Sequence, residues 1–217
     1  MCGFFGYISK DIISDQYLKK IDNSAKLISH RGQDSNNAII GKNFYFKSFR
    51  HKILDLSEKG DQPFVDDRNR YFIVFNGIIF NHHEIRNEII SKYNQKFISQ
   101  CDTETILYGY LYFGEKIFNK MNGYWALAIY DKQNNETILS RDRFGVKPLY
   151  YTSKNNSVIF SSEIKSLKNI LSGNFKLNLS QINSFLRRGW LDHNNETLYS
   201  DILSIKPSTY VKIKNNK

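Results

Sequence analysis

The chain has 217 residues, of which 41% are hydrophobic and 15% aromatic, and it carries a formal charge of +10. This composition supports a sizeable core and excludes disorder along the whole chain, and two cysteines are too few for a disulfide framework. No apolar run approaches the ~18 residues of a membrane-spanning helix, and the scattered positive charges accompany no nucleic-acid-binding motif.

The first third of the chain predicts a strand, a helix and a hairpin. Residues 3–8 form a short apolar run that is typical of a buried strand. Ser14 is a favourable N-cap for a helix, and two further strands at 37–41 and 43–49 are predicted to pair as a hairpin. The helix places these apolar residues on one side: Ile13, Leu18, Ile21, Ala25 and Ile28.

The middle of the chain contains an Asn-Gly pair at 76–77 between two apolar runs, 71–75 and 78–80. This pattern is a strong signal for a two-residue hairpin turn. Asn81 and Asp102 each precede a helical pattern, and their side chains are of the type that caps a helix N-terminus. We therefore predict a hairpin followed by two helices.

The last third predicts closely spaced strands and two more helices. The helices fall near 162–171 and 180–188, and a final strand pair falls near 197–214. Four strands precede them, at 124–130, 137–141, 148–152 and 157–161. Such short connections favour antiparallel hairpins, because parallel crossovers need a dozen or more residues. The pattern predicts an α+β fold rich in antiparallel strands.

Cys2 follows the initiator methionine, and its small side chain suits removal of Met1. Removal places a thiol and a free α-amine on the same residue. The α-amine has a reference pKa of about 7.7–8.0, so it can act as the base for its own thiol. The alternative is that Cys2 is a small buried residue with no chemical role.

Eight segments, in order along the chain, resemble the glutaminase domain of class II glutamine amidotransferases, which are N-terminal nucleophile hydrolases. The resemblance is strongest to the asparagine synthetase branch. It implies a single glutaminase domain over residues 1–217 and a four-layer αββα sandwich of antiparallel sheets. The segments are MCGFFGYI (1–8), SHRGQDS (29–35), ILDLSEKGDQPF (53–64), VFNGIIFNHHEIR (74–86), CDTETIL (101–107), MNGYWALAIYD (121–131), RDRFGVKPLYY (141–151) and FSSEIKSL (160–167).

The resemblance implies that the Cys2 thiolate attacks the side-chain carboxamide of L-glutamine and forms a glutamyl thioester. Ammonia leaves, and water then hydrolyses the thioester to glutamate. The oxyanion of the tetrahedral intermediate needs donors that are already fixed in place. By resemblance these are the side-chain amide of Asn76 and the backbone N–H of Gly77.

The resemblance also implies how glutamine is held. Arg50 matches the arginine that binds the α-carboxylate with two parallel hydrogen bonds, and Asp102 matches the acidic residue that binds the α-ammonium. A helix N-cap is a competing role for Asp102. Arg31, Gly32 and Asp34 match residues that line or brace the site.

Ile78 is the most informative departure from the family pattern, which reads Asn-Gly-Glu-Ile-Tyr-Asn where this chain reads Asn-Gly-Ile-Ile-Phe-Asn. The family glutamate helps to hold the α-ammonium, and isoleucine cannot accept a hydrogen bond. Loss of one charged hydrogen bond costs roughly 1.5–3 kcal/mol, which predicts about 10- to 100-fold weaker binding. Gln33 and Phe80 are milder departures.

No cofactor is expected in this domain, and the five histidines show no metal-ligand spacing. In the asparagine synthetase family a second domain uses ATP and Mg²⁺ and carries a Ser-Gly-Gly phosphate loop, and this sequence contains no Gly-Gly pair. Three arrangements are therefore open: a glutaminase subunit with a separate synthetase partner, a domain of a longer protein, and a truncated product. The ammonia acceptor and the oligomeric state are also open.

Three function classes follow from these observations. The first is a cytoplasmic glutamine amidotransferase that supplies ammonia, with no membrane or nucleic-acid partner. The second is a related amidohydrolase that cleaves another amide. The third is a regulatory or binding module that has lost turnover, a class that Ile78 and the missing synthetase domain favour and that an intact Cys2 disfavours.

Overall fold

The computed structural model describes residues 1–154, 156–172, 175–191 and 193–214. Within these ranges the chain forms two antiparallel sheets. One sheet has six strands in the order β10-β8-β9-β1-β3-β2 and the other has five in the order β11-β7-β6-β5-β4. The strands are β1 (Gly3–Ser9), β2 (Ser35–Ile40), β3 (Phe44–Arg50), β4 (Phe64–Val65), β5 (Tyr71–Ile79), β6 (Gly123–Asp131), β7 (Glu136–Arg141), β8 (Tyr150–Lys154), β9 (Ser157–Ser161), β10 (Leu203–Ser204) and β11 (Tyr210–Lys214).

Helices cover the outer faces of the two sheets. They are α1 (Asp15–Lys26), α2 (His82–Tyr93), α3 (Asp102–Phe113), α4 (Ile117–Lys120) and α5 (Ile164–Ile170), and a further helix, α6 (Leu179–Arg188), follows α5 in the chain. Helices α1 and α5 contact the six-stranded sheet, and α3 packs on β5 of the five-stranded sheet and against α2. None of the helices in the described part of the chain combines the length and apolar composition needed to cross a bilayer.

Three apolar layers hold this arrangement together. The layer between the two sheets contains Phe4, Phe46, Phe72 and Val74, all of them fully buried. A second layer lies under α1 and α5, and a third lies between the five-stranded sheet and α2, α3 and α4. Alternate residues of each strand therefore face the sheet–sheet layer and a helix layer, as the period of a strand requires. The four-layer αββα prediction is confirmed.

The predicted strands and helices are confirmed in most of the chain. Ser14 caps α1, because its hydroxyl accepts from the backbone N–H of Tyr17. The prediction that the last two strands pair with each other is wrong, since β10 pairs with β8 in one sheet and β11 pairs with β7 in the other.

The predicted hairpin turn at 76–77 is also wrong. Strand β5 runs without interruption from Tyr71 to Ile79 and pairs with β6 along its whole length. Gly77 is needed for close approach rather than for a turn, because a Cβ atom there would collide with the carbonyl oxygen of Tyr124.

The two predicted caps do not cap their helices. Asn81 occupies the N-cap position of α2, but its side chain donates to the carbonyl of Lys120 and accepts from the backbone N–H of Asn122. Asp102 is the first residue of α3, and its carboxylate accepts from the backbone N–H of Ile79 at 3.0 Å. Both side chains tie their helix to a distant segment instead.

Candidate active site

A pocket at one end of the sandwich joins the start of β1, the end of β3, the second half of β5 and the start of α3. Its lining residues are Cys2, Arg50, His51, Ile53, Leu54, Gln62, Phe75, Gly77, Ile78, Cys101, Asp102 and Thr103. Four of the predicted site residues, Cys2, Arg50, Gly77 and Asp102, thus line one pocket. The described residues contain no group of three or more His, Cys, Asp or Glu side chains placed to hold a metal ion.

The Cys2 thiol lies against the backbone of His51. Its sulfur accepts from the His51 N–H at 3.3 Å, and its S–H donates to the His51 carbonyl at 3.5 Å. Burial raises the pKa of this thiol above its usual value, although the His51 N–H and nearby positive charge oppose the rise. The thiol is therefore protonated at neutral pH while Met1 is attached, and it needs a base to become a nucleophile.

The N–H of Gly77 points away from β6. The N–H of Phe80 donates to the carbonyl of Asn122, which continues the β5–β6 pairing. Because N–H directions alternate along an antiparallel strand, odd-numbered residues of this segment direct their N–H groups to the opposite edge. The neighbours of Gly77 on that edge follow the rule, since Phe75 donates to Gln62 Oε1 and Ile79 donates to Asp102 Oδ2. Gly77 lies between them, in the lining of the pocket.

The Asn76 side chain lies on the same face of β5 as Val74, and this face is turned toward the layer between the two sheets. It is 2% exposed, and its Nδ2 is buried without a hydrogen-bond partner among the described residues. An unsatisfied buried donor costs roughly 1–3 kcal/mol. Val74, two residues before Asn76, and Phe4, two residues after Cys2, share the sheet–sheet core, and β1 contacts β5 across it. The Asn76 amide, which has no partner among the described residues, therefore faces the same sheet–sheet layer that β1 enters just after Cys2.

Arg50 is buried and held by the loop that follows β3. Its guanidinium donates to the carbonyls of Asp55 and Ser57 and to Asp61 Oδ1, the last at 2.6 Å. Burial alone raises the pKa of Asp61, but its hydrogen bonds with Arg50 and Ser35 leave that pKa below its usual value. Arg50 thus faces the pocket with a fixed geometry and a partly compensated charge.

Among the described residues that line the pocket, Asp102 is the one with an acidic side chain. It is 4% exposed, and burial raises its pKa to about 6 despite the hydrogen bond from the Ile79 N–H. Ile78 lies beside it in the pocket lining and presents only hydrocarbon. A cationic group that enters the pocket therefore meets one carboxylate, at Asp102, and hydrocarbon at position 78.

Arg31, Gly32 and Asp34 lie around the nucleophile rather than in the pocket lining. Arg31 Nε donates to the carbonyl of Cys2 at 3.1 Å. Gly32 packs so closely against β3 that a Cβ atom there would collide with the backbone of Phe49. Asp34 Oδ2 accepts from the Lys52 N–H at 2.8 Å and contacts His51 Nδ1 at 2.9 Å.

Sequence reasoning missed several residues that organise this site. Asp61 fixes Arg50, and Gln62 joins the Phe75 N–H to the Thr103 hydroxyl. Both fall in the segment 53–64, which contributed to the resemblance but received no role. The sequence offers no local signal for these contacts, because each joins segments that meet only in the folded chain.

Comparison with known proteins gives a consistent result. A family model described as a glutamine amidotransferase domain matches residues 1–217. The chain is 36% identical over 172 residues to asparagine synthetase [glutamine-hydrolyzing] 1 of Bacillus subtilis, covering 77% of this chain and 26% of that protein. It is 37% identical over 204 residues to the putative asparagine synthetase [glutamine-hydrolyzing] 2 of Methanocaldococcus jannaschii, covering 83% and 38%.

Other matches extend the comparison. Amidase chry2 of Gibberella zeae is 30% identical over 153 residues, covering 70% of this chain and 22% of that protein. Among solved structures, the glutamine phosphoribosylpyrophosphate amidotransferase of B. subtilis superposes with a TM-score of 0.66 at 16% identity, covering 98% of this chain and 47% of that chain. The structural match establishes a shared fold. The chain spans between 22% and 38% of the length of these three curated relatives.

Proposed function

Because this chain belongs to the glutamine amidotransferase domain family, we propose that it hydrolyses the side-chain amide of glutamine and supplies the ammonia to an ATP-dependent amidation. One observation carries the proposal most directly. The pocket that holds the Cys2 thiol also presents the Gly77 N–H, and the adjoining Asn76 Nδ2 is buried without a partner. Donors that a strand holds in place, one of them without a partner among the described residues, are the kind of groups that stabilise an oxyanion.

The proposed reaction begins after removal of Met1. The α-amine of Cys2 takes the thiol proton, and the thiolate attacks the carboxamide carbon of glutamine. Asn76 and Gly77 bind the resulting oxyanion. The protonated amine then gives its proton to the leaving nitrogen, so that ammonia departs and a thioester remains. Water adds to the thioester, the S–C bond breaks, and glutamate leaves with the thiol restored.

Arg50 and Asp102 are the residues that we assign to substrate binding. The guanidinium of Arg50 suits the α-carboxylate, and the carboxylate of Asp102 suits the α-ammonium. Asp102 is buried and its pKa is raised to about 6, so it is mostly ionised above that pH. Binding of glutamine through Asp102 therefore weakens as the pH falls through 6.

The destination of the ammonia is proposed from the relatives. One of them is named an asparagine synthetase and another a putative asparagine synthetase, and this chain covers 26% and 38% of their lengths. We propose a synthetase-like domain or subunit as the partner, with ATP and Mg²⁺ bound there and no cofactor in this domain. Aspartate is then the default acceptor, amidation of a sugar is a second option, and the cytoplasm is the proposed location.

Labelling with a glutamine-shaped diazo-ketone tests the proposed function. We expect an intact-mass spectrum to show loss of Met1 and one adduct that maps to Cys2, together with glutamine-dependent ammonia release. Free glutamine in excess should protect Cys2 from labelling. A chain that has lost Met1 and still resists the analogue would contradict a glutamine pocket.

Ile78 supports a second candidate function, cleavage of an amide other than glutamine. It replaces a carboxylate beside Asp102 with hydrocarbon, and one relative is named an amidase. Ile53, Leu54 and Phe75 add further apolar surface to the same pocket. A substrate with a side-chain amide and an acylated, uncharged α-nitrogen, such as an N-acylglutamine, fits this surface better than a free amino acid does.

The substitution Ile78→Glu separates the two candidates. If glutamine is the substrate, we expect the KM for glutamine to fall by roughly 10- to 100-fold, because the new carboxylate contributes a charged hydrogen bond to the α-ammonium. Ile78→Gln is the matched control, because it adds an acceptor of the same shape without the charge. An unchanged KM, combined with faster turnover of N-acetylglutamine by the wild-type chain, would favour the second candidate. Failure to turn over any amide would favour the regulatory module.

A further inference from the structure

Glu163 lies at the junction between β9 and α5 and forms a cluster of ion pairs. Its Oε1 contacts Arg31 at 3.0 Å and His30 at 2.8 Å, and its Oε2 contacts Lys165 at 3.0 Å. Burial alone raises the pKa of Glu163, but the hydrogen bonds from Arg31, Lys165 and His30 bring that pKa below its usual value. Glu163 is therefore a carboxylate throughout the neutral pH range.

Arg31 connects this cluster to the nucleophile. Its side chain is 10% exposed and lies between Glu163 and the carbonyl of Cys2, to which Nε donates at 3.1 Å. Arg31 also packs closely against the start of β1, since a Cβ atom on Gly3 would come within 2.8 Å of Arg31 Cδ. The guanidinium thus lies one carbonyl group away from the α-carbon of the nucleophile.

The same junction holds the next residues of β1. The Ser162 hydroxyl accepts from the N–H of Phe4 at 3.1 Å, and the Ser162 N–H donates to the Phe4 carbonyl at 3.0 Å. Neighbouring residues of one short segment therefore fix Phe4 directly and Cys2 through Arg31. This arrangement leaves the backbone of the nucleophile little freedom.

We propose that Glu163 is a positioning residue for Cys2, which acts through Arg31 to fix the nucleophile's backbone and to offset the positive charge that Arg31 places at the Cys2 carbonyl. The proposal rests on the proposed function, because it takes Cys2 as the nucleophile. Glu163 touches neither the pocket nor the substrate that we assign to it, so its effect on the chemistry passes through Arg31.

The charge of Glu163 affects ionisation at Cys2 in a definite direction. A guanidinium near Cys2 favours the thiolate and the uncharged amine, and Glu163 weakens this effect because it pairs with Arg31. Removal of the negative charge at position 163 should therefore shift ionisation at Cys2 to lower pH. Among the described residues, the other charged groups that act on the Cys2 thiol or contact Met1 stay the same in this comparison; they are the N-terminal ammonium, Arg50, Asp102 and Lys147. His51 contacts the thiol through its backbone.

The experiment measures the rate of Cys2 alkylation by iodoacetamide against pH, in the full chain with its N-terminus defined by intact mass. Cys101 does not interfere, because burial raises its pKa to about 11 and peptide mapping separates the two thiols. We expect Glu163→Gln to lower the apparent pKa of Cys2 alkylation by about 0.5 to 1 unit. Glu163→Asp keeps the charge but withdraws it from Arg31, and it should give a smaller shift in the same direction.

Glu88→Gln is the matched control. Like Glu163, Glu88 is a carboxylate held by ion pairs, here with Lys92 and Lys120, but it lies on α2 at the opposite outer layer. Its profile should coincide with that of the wild type. Coincident profiles for wild type and Glu163→Gln would overturn the proposal, and if Glu163→Gln does not fold, a wild-type profile for Glu163→Asp would do so. A wild-type chain that reacts with iodoacetamide but not with the diazo-ketone would defeat the proposed function alone.

Discussion

Replacement of Cys2 by alanine should reduce glutamine-dependent ammonia release by about 10⁴-fold or more, because removal of a covalent nucleophile eliminates the route through the thioester. The fold should survive the change. Cys2 precedes β1, and the hydrogen bonds of its sulfur within the described part of the chain go to the backbone of His51. The measurement is the steady-state rate of ammonia release, with the melting temperature as a check on folding.

Cys101→Ala provides the thiol control for this experiment. Cys101 is buried at the start of α3, and burial raises its pKa to about 11. Its replacement should leave a single adduct with the diazo-ketone, on Cys2. Substantial ammonia release by Cys2→Ala would contradict the assigned nucleophile, and so would an adduct that disappears with Cys101.

Replacement of Asn76 by alanine should reduce kcat by about 10²- to 10³-fold, the usual effect of removing one oxyanion donor. Its effect on stability should be much smaller than its effect on rate. Asn76 Nδ2 has no hydrogen-bond partner among the described residues, so truncation removes an unsatisfied donor as well as packing atoms. The kinetic constants and the free energy of unfolding, measured on the same preparation, test both statements.

Thr137→Val is the matched control for Asn76→Ala. Thr137 is 1% exposed on β7, and its hydroxyl is likewise buried without a partner in the described part of the chain. Thr137 lies on β7, which β6 separates from the strand that carries Asn76, so the valine variant should retain activity. A loss of activity in Asn76→Ala that merely follows its loss of stability would argue against the donor role.

Local pattern predicted most of the elements and failed where a distant partner decides the structure. The alternation in β1 and the Ser14 cap of α1 are readable from a few neighbouring residues. The Asn-Gly pair at 76–77 is equally readable as a turn, but β6 pairs along the whole of β5 and keeps it extended. Gly77 is required there by the carbonyl of Tyr124, which is 47 positions away in sequence.

The residues of the site also fall into a predictable group and an unpredictable group. The family resemblance predicted that Cys2, Arg50, Gly77 and Asp102 belong together, and the structure brings them into one pocket. The groups that hold them were not predictable, because they come from remote parts of the chain. The pair between Arg31 and Glu163 spans 132 positions, and sequence spacing carries no information on such a contact.

The continuity of β5 has a consequence for the durability of the site. Asn76 and Gly77 lie within a strand that pairs with β6 along its length and packs between the sheet–sheet core and α3. Loop fluctuations, which open with little free energy, do not displace such groups. The donors move only when the five-stranded sheet itself opens, and heat inactivation of the enzyme should therefore coincide with cooperative melting of the domain.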